Sequence, residues 1–195
     1  MDTILTVGLP WILFFAVHSW MAANGVKDWV KRNFPSMKRW YRLLYNLVSA
    51  LLFAWAGYYL YNAPAQYLIP TFPIVQYVSW AMMAAGVMVI LLCFRNYQIG
   101  EFIGTQQLQS QPAEPTLNTS GLNQYVRHPL YFGTFLTVMG YLFNAFTLAH
   151  LVFATTVFAY LIIGTLLEEQ KLEKQFGAAY QQYKKEVKML IPFVL

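Results

Sequence analysis

Two polar clusters flank a long apolar stretch in the C-terminal half of the chain. The first contains Arg127, His128 and Tyr131, and the second is the adjacent pair Glu168 and Glu169. Cations and carboxylates at the ends of helices often pair with each other and only fasten the helices together. The same residue types can also bind a charged ligand, because they supply both hydrogen-bond donors and acceptors. Both interpretations require that the two clusters meet in the folded chain.

The composition indicates an integral membrane protein. Of the 195 residues, 58% are hydrophobic and only 11% are charged, whereas a soluble domain carries roughly 25% charged residues. Aromatic residues make up 18% of the chain, which fits because Trp and Tyr favour the two membrane interfaces. We therefore expect a single membrane domain over residues 1–195. Its expected partner is the lipid bilayer, and binding to nucleic acid is not expected.

Five apolar segments are about long enough to cross a bilayer as helices, which takes about 20 residues. They cover residues 4–23, 41–61, 74–94, 129–146 and 148–167. None of them alternates polar and apolar residues over its length, so strands are not predicted. The predicted fold class is therefore an all-α membrane protein with five transmembrane helices.

The basic residues set the predicted orientation. All 13 Lys and Arg fall between the first and second spans or at the very start of the second, between the third and fourth, or after the fifth. The opposite connections, residues 62–73 and 144–147, carry no charge. The positive-inside rule then places the N-terminus outside and the C-terminus in the cytoplasm, where an amphipathic helix follows the last span. We expect a bacterial or archaeal inner membrane, with the polar clusters facing the cytoplasm.

The last two spans bring the polar clusters together. Because only a few residues join these spans, they must be antiparallel neighbours. Pro129 suits the first turn of a helix, where its missing N–H costs nothing. Arg127 and His128 therefore lie at the mouth of one helix, beside Glu168 and Glu169 at the end of the next.

These residues resemble the signature of the isoprenylcysteine carboxyl methyltransferase family. The shared motifs are Thr-Leu-Asn-Thr-Ser-Gly at 116–121, Arg-His-Pro-Leu-Tyr at 127–131, Glu-Glu at 168–169, Phe-Gly-x-x-Tyr-x-x-Tyr at 176–183 and Pro-Phe at 192–193. Within this superfamily, the segment from His150 to Ala154 and the stretch before Pro192 are most similar to the bacterial branch that methylates small thiols, such as methanethiol.

The resemblance implies S-adenosylmethionine as the methyl donor, bound by residues 106–195. The residues that it assigns to the cofactor are Thr116, Leu117, Asn118, Asn123, His128, Pro129, Leu130, Tyr131 and Glu168. Glu168 would accept a hydrogen bond from a ribose hydroxyl or the ammonium group. The start of the helix at Pro129 suits the cofactor's carboxylate. Arg127 is a supporting candidate, and no general base is assigned.

One departure from the family pattern bears on the methyl acceptor. The eukaryotic prenylcysteine enzymes carry an arginine about one turn before the Glu pair, whereas residues 164–167 here are Gly-Thr-Leu-Leu. A lipophilic acceptor or small thiol that enters from the membrane therefore fits this stretch without a cation better than an acceptor with a carboxylate does. In the first span, His18 is a candidate substrate contact, and the alternative is a buried histidine bonded to a backbone carbonyl.

Two other function classes stay open. One is an NADPH-dependent lipid or sterol reductase of the same superfamily, whose membrane members do not use the Rossmann glycine fingerprint. The other is a non-catalytic membrane assembly factor that keeps the fold. A metal site is not expected, because Cys93 is the only cysteine and the three histidines fall at different depths.

Overall fold

The structure is a computed structural model, which describes residues 2–95 and 116–191. Within these ranges the chain is helical, with short 3₁₀ turns at Pro35–Met37 and Gly121–Gln124. The helices of the described part are α1 (Thr3–Ala22), α2 (Asn24–Asn33), α3 (Tyr41–Tyr61), α4 (Pro73–Arg95), α5 (Pro129–Asn144), α6 (Leu148–Phe176) and α7 (Ala178–Glu186). The all-α prediction is therefore confirmed.

Four of these helices, α1, α3, α4 and α6, are long and apolar enough to cross a membrane. The fourth predicted span differs, because α5 ends at Asn144 and has only 16 residues. At 1.5 Å per residue α5 is about 24 Å long, which is shorter than the roughly 30 Å of a bilayer's hydrocarbon core. Helix length alone therefore supports four spans, and the five-span topology stays a prediction.

Helix α2 is an element that the hydropathy pattern did not predict. Ala23 adopts an extended conformation with ψ 138° and separates α2 from α1. Val30 is buried, whereas Trp29 is 55% exposed, and charged residues fill much of the rest of the helix. A short charged helix beside an apolar span is typical of a segment that lies along the membrane interface.

Helix α6 continues past the predicted end of the last span at residue 167. It has 29 residues, or about 44 Å, so Glu168 and Glu169 lie inside a continuous helix. Gly177 ends it with a φ of 53°, a conformation that glycine adopts without steric cost. The predicted amphipathic C-terminal helix is thus divided into the last turns of α6 and the separate helix α7.

Helices α5 and α6 form the predicted antiparallel hairpin. Thr147 caps α6 by accepting a hydrogen bond from the backbone N–H of His150 at 3.2 Å. Apolar side chains of both helices then pack into one buried cluster, formed by Val138, Leu142, Ala154, Val157 and Leu161. The hairpin sets the start of α5 beside the charged part of α6.

Helix α5 also packs very closely along α4. A Cβ atom on Gly133 would lie 2.9 Å from the carbonyl oxygen of Gly86, and one on Gly140 would lie 2.6 Å from that of Ser79. Glycines at such contacts let helix backbones approach each other in membranes. Glycine is therefore required at both positions, and α5 is held from two sides.

Helix α1 packs between α3 and α6. Its buried residues Val7, Trp11 and Phe14 contact Ala56 of α3 and Ala149 of α6. This cluster places the polar C-terminal part of α1 beside the same end of α6 that carries the Glu pair. Four helices, α1, α3, α5 and α6, therefore surround the region of the candidate site.

Candidate functional site

The two polar clusters meet at the buried carboxylate of Glu169. Arg127 binds it with two hydrogen bonds, Nε to Oε1 at 2.9 Å and Nη2 to Oε2 at 3.0 Å. His128 Nε2 lies 2.8 Å from Oε1, and the Tyr180 hydroxyl donates to the same oxygen at 2.6 Å. Lys184 Nζ adds a longer contact of 3.4 Å to Oε2. A carboxylate is stable at such a buried position only with partners of this kind.

Tyr180 ties α7 to this carboxylate. Its side chain is 1% exposed. Burial, followed by the hydrogen bond to Glu169 and the negative charge of Glu169, raises the pKa of the Tyr180 hydroxyl. The hydroxyl therefore stays protonated at neutral pH and acts as a donor.

Arg127 also holds the segment that follows α7. Its Nη1 donates to the carbonyl oxygens of Lys184, at 3.3 Å, and of Val187. The backbone N–H groups of Arg127 and His128 donate to the carbonyls of Lys188 and Met189 at 2.8 and 3.1 Å. The Arg127 side chain is only 8% exposed, so these hydrogen bonds lie inside the protein. They hold the start of α5 against α6 and the segment after α7, as expected for the ion pair that only joins helices.

Glu168 is the accessible member of the Glu pair. Its side chain is 45% exposed, against 8% for Glu169. His128 Nδ1 lies 3.5 Å from Oε2 of Glu168, and the Tyr131 side chain interacts electrostatically with the same carboxylate. These two contacts orient Glu168 and leave it further capacity to accept hydrogen bonds from a ligand.

His128 lies beneath the accessible surface, between the two carboxylates. It is 5% exposed, and the ring of Tyr131 stacks on it with centroids 5.6 Å apart. One ring nitrogen faces Glu169 and the other faces Glu168. The sequence predicted a direct cofactor contact for His128, and in the structure both of its ring nitrogens face carboxylates of the protein, with which such a contact would have to compete.

Helix α5 begins at Pro129 beside Glu168, and no side-chain hydrogen bond caps this helix end. The first N–H groups of a helix, which here belong to Leu130 and Tyr131, have no partner inside the helix. They favour an anionic group at this point. An exposed carboxylate next to a helix start fits a ligand that carries hydroxyl or ammonium groups together with a carboxylate, as S-adenosylmethionine does.

The segment before α5 contains the remaining predicted cofactor residues. Thr116 and Asn118 are exposed, and Leu117 is half-buried. Asn118 Oδ1 accepts hydrogen bonds from the backbone N–H and the hydroxyl of Ser120 at 3.0 and 2.9 Å. This local turn shapes the segment, whereas the preceding residues 106–115 and the motif at 192–193 lie outside the described residues.

Asn123 has a structural position in this segment. Its side-chain amide donates to the carbonyl of Arg127 at 3.0 Å, and its own carbonyl accepts from the Tyr183 hydroxyl at 2.5 Å. These bonds join the segment before α5 to helix α7. The predicted cofactor contact of Asn123 would therefore have to compete with a hydrogen bond that the side chain already makes.

His18 lies outside the Glu169 network and is bound from α3. Its Nδ1 is 3.0 Å from the hydroxyl of Ser49, and its Nε2 is 2.8 Å from the hydroxyl of Tyr45. The partners are side chains and not the backbone carbonyl of the alternative prediction. The sequence did not identify Tyr45 and Ser49 as partners of His18, although Tyr41, Tyr45 and Ser49 recur every four residues along one face of an apolar helix.

Comparison with known proteins adds to this geometry. The family described as NnrU protein matches residues 4–195. The chain belongs to the NnrU family. The match extends over all helices of the described structure except for Thr3 at the start of α1, and it includes both polar clusters and His18.

Relatives of this NnrU-family chain carry names that describe one reaction. It is 32% identical to the methanethiol S-methyltransferase of Crocosphaera subtropica, over 98% of this chain and 75% of that protein. It is 29% identical to methanethiol S-methyltransferase 1 of Bradyrhizobium diazoefficiens, over 93% and 64%, and 31% identical to the methanethiol S-methyltransferase of a Pseudomonas species, over 92% and 70%. The chain thus spans 64–75% of the length of these relatives. The predicted resemblance to the small-thiol branch is confirmed.

Proposed function

We propose that this NnrU-family protein is a membrane methyltransferase that transfers the methyl group of S-adenosylmethionine to a small thiol of the methanethiol class. The observation that carries the proposal is the accessible carboxylate of Glu168, which His128 and Tyr131 orient at the start of α5. The names of the relatives supply the reaction, and this carboxylate supplies a place for the donor.

The described residues suggest how the donor would be held. Glu168 would accept hydrogen bonds from its ribose hydroxyls or its ammonium group, and the N–H groups of Leu130 and Tyr131 suit its carboxylate. By family resemblance, Thr116 and Leu117 would line its nucleoside side. The residues with supporting roles are Asn118 and Asn123 in the preceding turn, Arg127 and His128 behind Glu168, and Pro129 at the start of the helix.

When bound, S-adenosylmethionine supplies an electrophilic methyl group on a sulfonium. The protein's part is alignment, because fixing two reactants in line contributes up to about 7–11 kcal/mol to a displacement of this kind. It must also exclude water from the nucleophile, which apolar helices accomplish. Residues 164–167 provide no cation for an acceptor carboxylate, so a neutral acceptor from the bilayer fits this site better than an acid.

The proposal includes a single domain of five spans, with α5 as the fourth. Helix α5 packs lengthwise between α4 and α6, both of which are long enough to span. The positive-inside rule then places the site on the cytoplasmic face of a bacterial or archaeal inner membrane. Single cysteines at Ala145 and Lys185, in a Cys93→Ser background, test this. An impermeant maleimide should label position 145 in intact cells and position 185 only in inverted vesicles, and labelling of both from one side would contradict the topology.

The function is tested with the full chain in lipid nanodiscs. We expect transfer of a labelled methyl group from S-adenosylmethionine to methanethiol, and saturable donor binding by calorimetry. Oxidation of NADPH in the same preparation, without methyl transfer, would favour the reductase class. No donor binding and no turnover, with a protein that co-purifies in fixed proportion, would favour an assembly factor.

A further inference from the structure

A second group of polar side chains lies in the helix bundle between Glu168 and α3. It combines a histidine with five hydroxyl groups contributed by four helices. We name it the hydroxyl cluster, and its members are His18 and Ser19 of α1, Tyr45 and Ser49 of α3, Tyr131 of α5, and Tyr160 of α6. All of these helices also enclose the candidate donor site, so the hydroxyl cluster adjoins that site.

Three tyrosines of the hydroxyl cluster belong to three different helices and interact with one another. The Tyr131 hydroxyl interacts electrostatically with Tyr160 and Tyr45, and Tyr45 also interacts with Tyr160. Tyr131 forms the link to the donor side, because its side chain interacts electrostatically with Glu168 and its ring stacks on His128. The Ser19 hydroxyl donates to Tyr160 at 3.3 Å and joins α1 to the group.

The side chains around these hydroxyls are largely apolar, and one of the neighbouring residues is a glycine. Gly164 lies one helical turn after Tyr160 and one turn before Glu168, and a Cβ atom on it would lie 3.5 Å from the Tyr131 hydroxyl. The ring of Phe15 stacks on Tyr160 with centroids 4.1 Å apart. Hydroxyl donors inside an apolar wall suit a small uncharged molecule that becomes negatively charged when it reacts.

We propose that the hydroxyl cluster binds the acceptor thiol, and that Tyr45 and His18 remove its proton. The proposal rests on the proposed function, because a thiol reacts as its thiolate. The hydroxyl of Tyr160, which accepts from Ser19 and keeps its own proton, would donate a hydrogen bond to the sulfur as its charge develops. The guanidinium of Arg42 lies 5.5 Å from the centre of the Tyr45 ring and places positive charge on the same side.

The hydrogen bonds of His18 define the path of the proton. When Nδ1–H donates to Ser49, Nε2 is the acceptor for the Tyr45 hydroxyl, and these two contacts measure 3.0 and 2.8 Å. The S–H bond breaks as its proton passes to the Tyr45 oxygen, and the former Tyr45 proton passes to Nε2. Tyr45 is therefore the catalytic residue that contacts the thiol, and His18 is the positioning residue that accepts the proton through it.

The methyl transfer itself forms one bond and breaks one bond. The electron pair left on the acceptor sulfur forms the new bond to the methyl carbon. The bond between that carbon and the sulfonium breaks, and its electron pair stays on the donor sulfur, which becomes a neutral thioether. One methyl sulfide and one proton, held first on His18, are the other products.

Two thiols of similar size and different acidity test this path. Ethanethiol is almost fully protonated at neutral pH, whereas the fluorines of 2,2,2-trifluoroethanethiol make it far more acidic. Tyr45→Phe and His18→Gln, each in the full chain in nanodiscs, are expected to lower kcat/KM for ethanethiol by about 10²-fold or more. For the fluorinated thiol the loss is expected to stay below about tenfold, because less of that thiol needs a base.

Matched controls come from the other end of the hairpin. Tyr141 and His150 form a ring pair with centroids 4.3 Å apart. Tyr141→Phe and His150→Gln therefore make the same two residue changes at a site distant from the hydroxyl cluster. Both should leave the ratio of the two thiols unchanged.

The outcomes separate this proposal from the proposed function. Tyr45→Phe should leave donor affinity, measured by calorimetry, at the wild-type value. Equal losses with both thiols at unchanged donor affinity would overturn the proton path. A wild-type protein that binds the donor but methylates neither thiol would overturn the hydroxyl cluster as the acceptor site. Failure of the wild-type protein to bind the donor would overturn the proposed function itself.

Discussion

Glu168 and Glu169 are neighbours in the chain, yet their carboxylates lie in opposite environments. Glu169 is buried and accepts hydrogen bonds from Arg127 and Tyr180, whereas the Glu168 side chain is 45% exposed. Successive residues of a helix with 3.6 residues per turn point about 100° apart. The Glu169 carboxylate therefore faces Arg127 and helix α7, and the Glu168 carboxylate faces the accessible space beside the start of α5.

Glu169→Gln should destabilise the protein strongly. The substitution keeps the shape of the side chain and removes the charge that compensates the buried Arg127. Breaking one partner of a buried ion pair costs about 3–5 kcal/mol. Thermal unfolding in nanodiscs measures the effect, with Glu173→Gln as a partly exposed control in the same helix. Equal unfolding temperatures for the two variants would contradict the assignment of Glu169 as a structural hub.

Glu168→Gln should fold normally and bind the donor more weakly. Its carboxylate is accessible, and a hydrogen bond to a charged group contributes about 1.5–3 kcal/mol. We therefore expect the Kd for S-adenosylmethionine, measured by calorimetry, to rise by about 10–100-fold. An unchanged Kd would remove Glu168 from the donor site.

His128 should affect donor affinity only through Glu168. A double-mutant cycle with His128→Asn and Glu168→Gln tests this, because residues that act through one contact show non-additive effects. We expect His128→Asn to weaken donor binding in the wild-type background and to add little in the Glu168→Gln background. Additive losses in Kd would mean that His128 contacts the donor directly, as the sequence predicted.

Gly140→Ala should loosen the contact between α4 and α5. The added Cβ would lie 2.6 Å from the carbonyl oxygen of Ser79, so one helix must move. At Gly57, by contrast, a Cβ would meet nothing within 4 Å, and alanine there should be neutral or slightly stabilising because glycine weakens a helix by roughly 0.5–1 kcal/mol. The measurement is thermal unfolding of both variants, and equal stability would refute the close approach.

The hydrogen bond between Tyr180 and Glu169 should make stability depend on alkaline pH. The pKa of Tyr180 is raised in the folded protein, so its stabilising contribution is complete below the unfolded value of about 10 and is lost as pH rises above it. Tyr180→Phe lacks this contribution at every pH. The difference in unfolding free energy between wild type and Tyr180→Phe should therefore narrow above about pH 10. Urea or thermal unfolding measures this difference, and a constant difference across pH would contradict the raised pKa of Tyr180.

The membrane class, the α5–α6 hairpin and the meeting of its two polar clusters could all be predicted from the sequence. These features depend on local properties, namely apolar length, a short connection and the position of Pro129. The motifs at 127–131 and 168–169 also identified the family. Such signals need no knowledge of how distant helices are rotated.

The tertiary structure decided which side chains are free to bind a ligand. The sequence could not distinguish Glu168 from Glu169, because their roles depend on the rotation of α6 and on where α7 returns after Gly177. His128 was predicted to contact the cofactor at the mouth of α5, and the packing of Tyr131 and both carboxylates buries it. The partners of His18 come from α3, more than 25 residues away in the chain, and only the packing of α1 against α3 brings them together. Local sequence determines which helices form. The rotation of each helix about its own axis, which packing sets, determines which polar side chains of different helices contact one another.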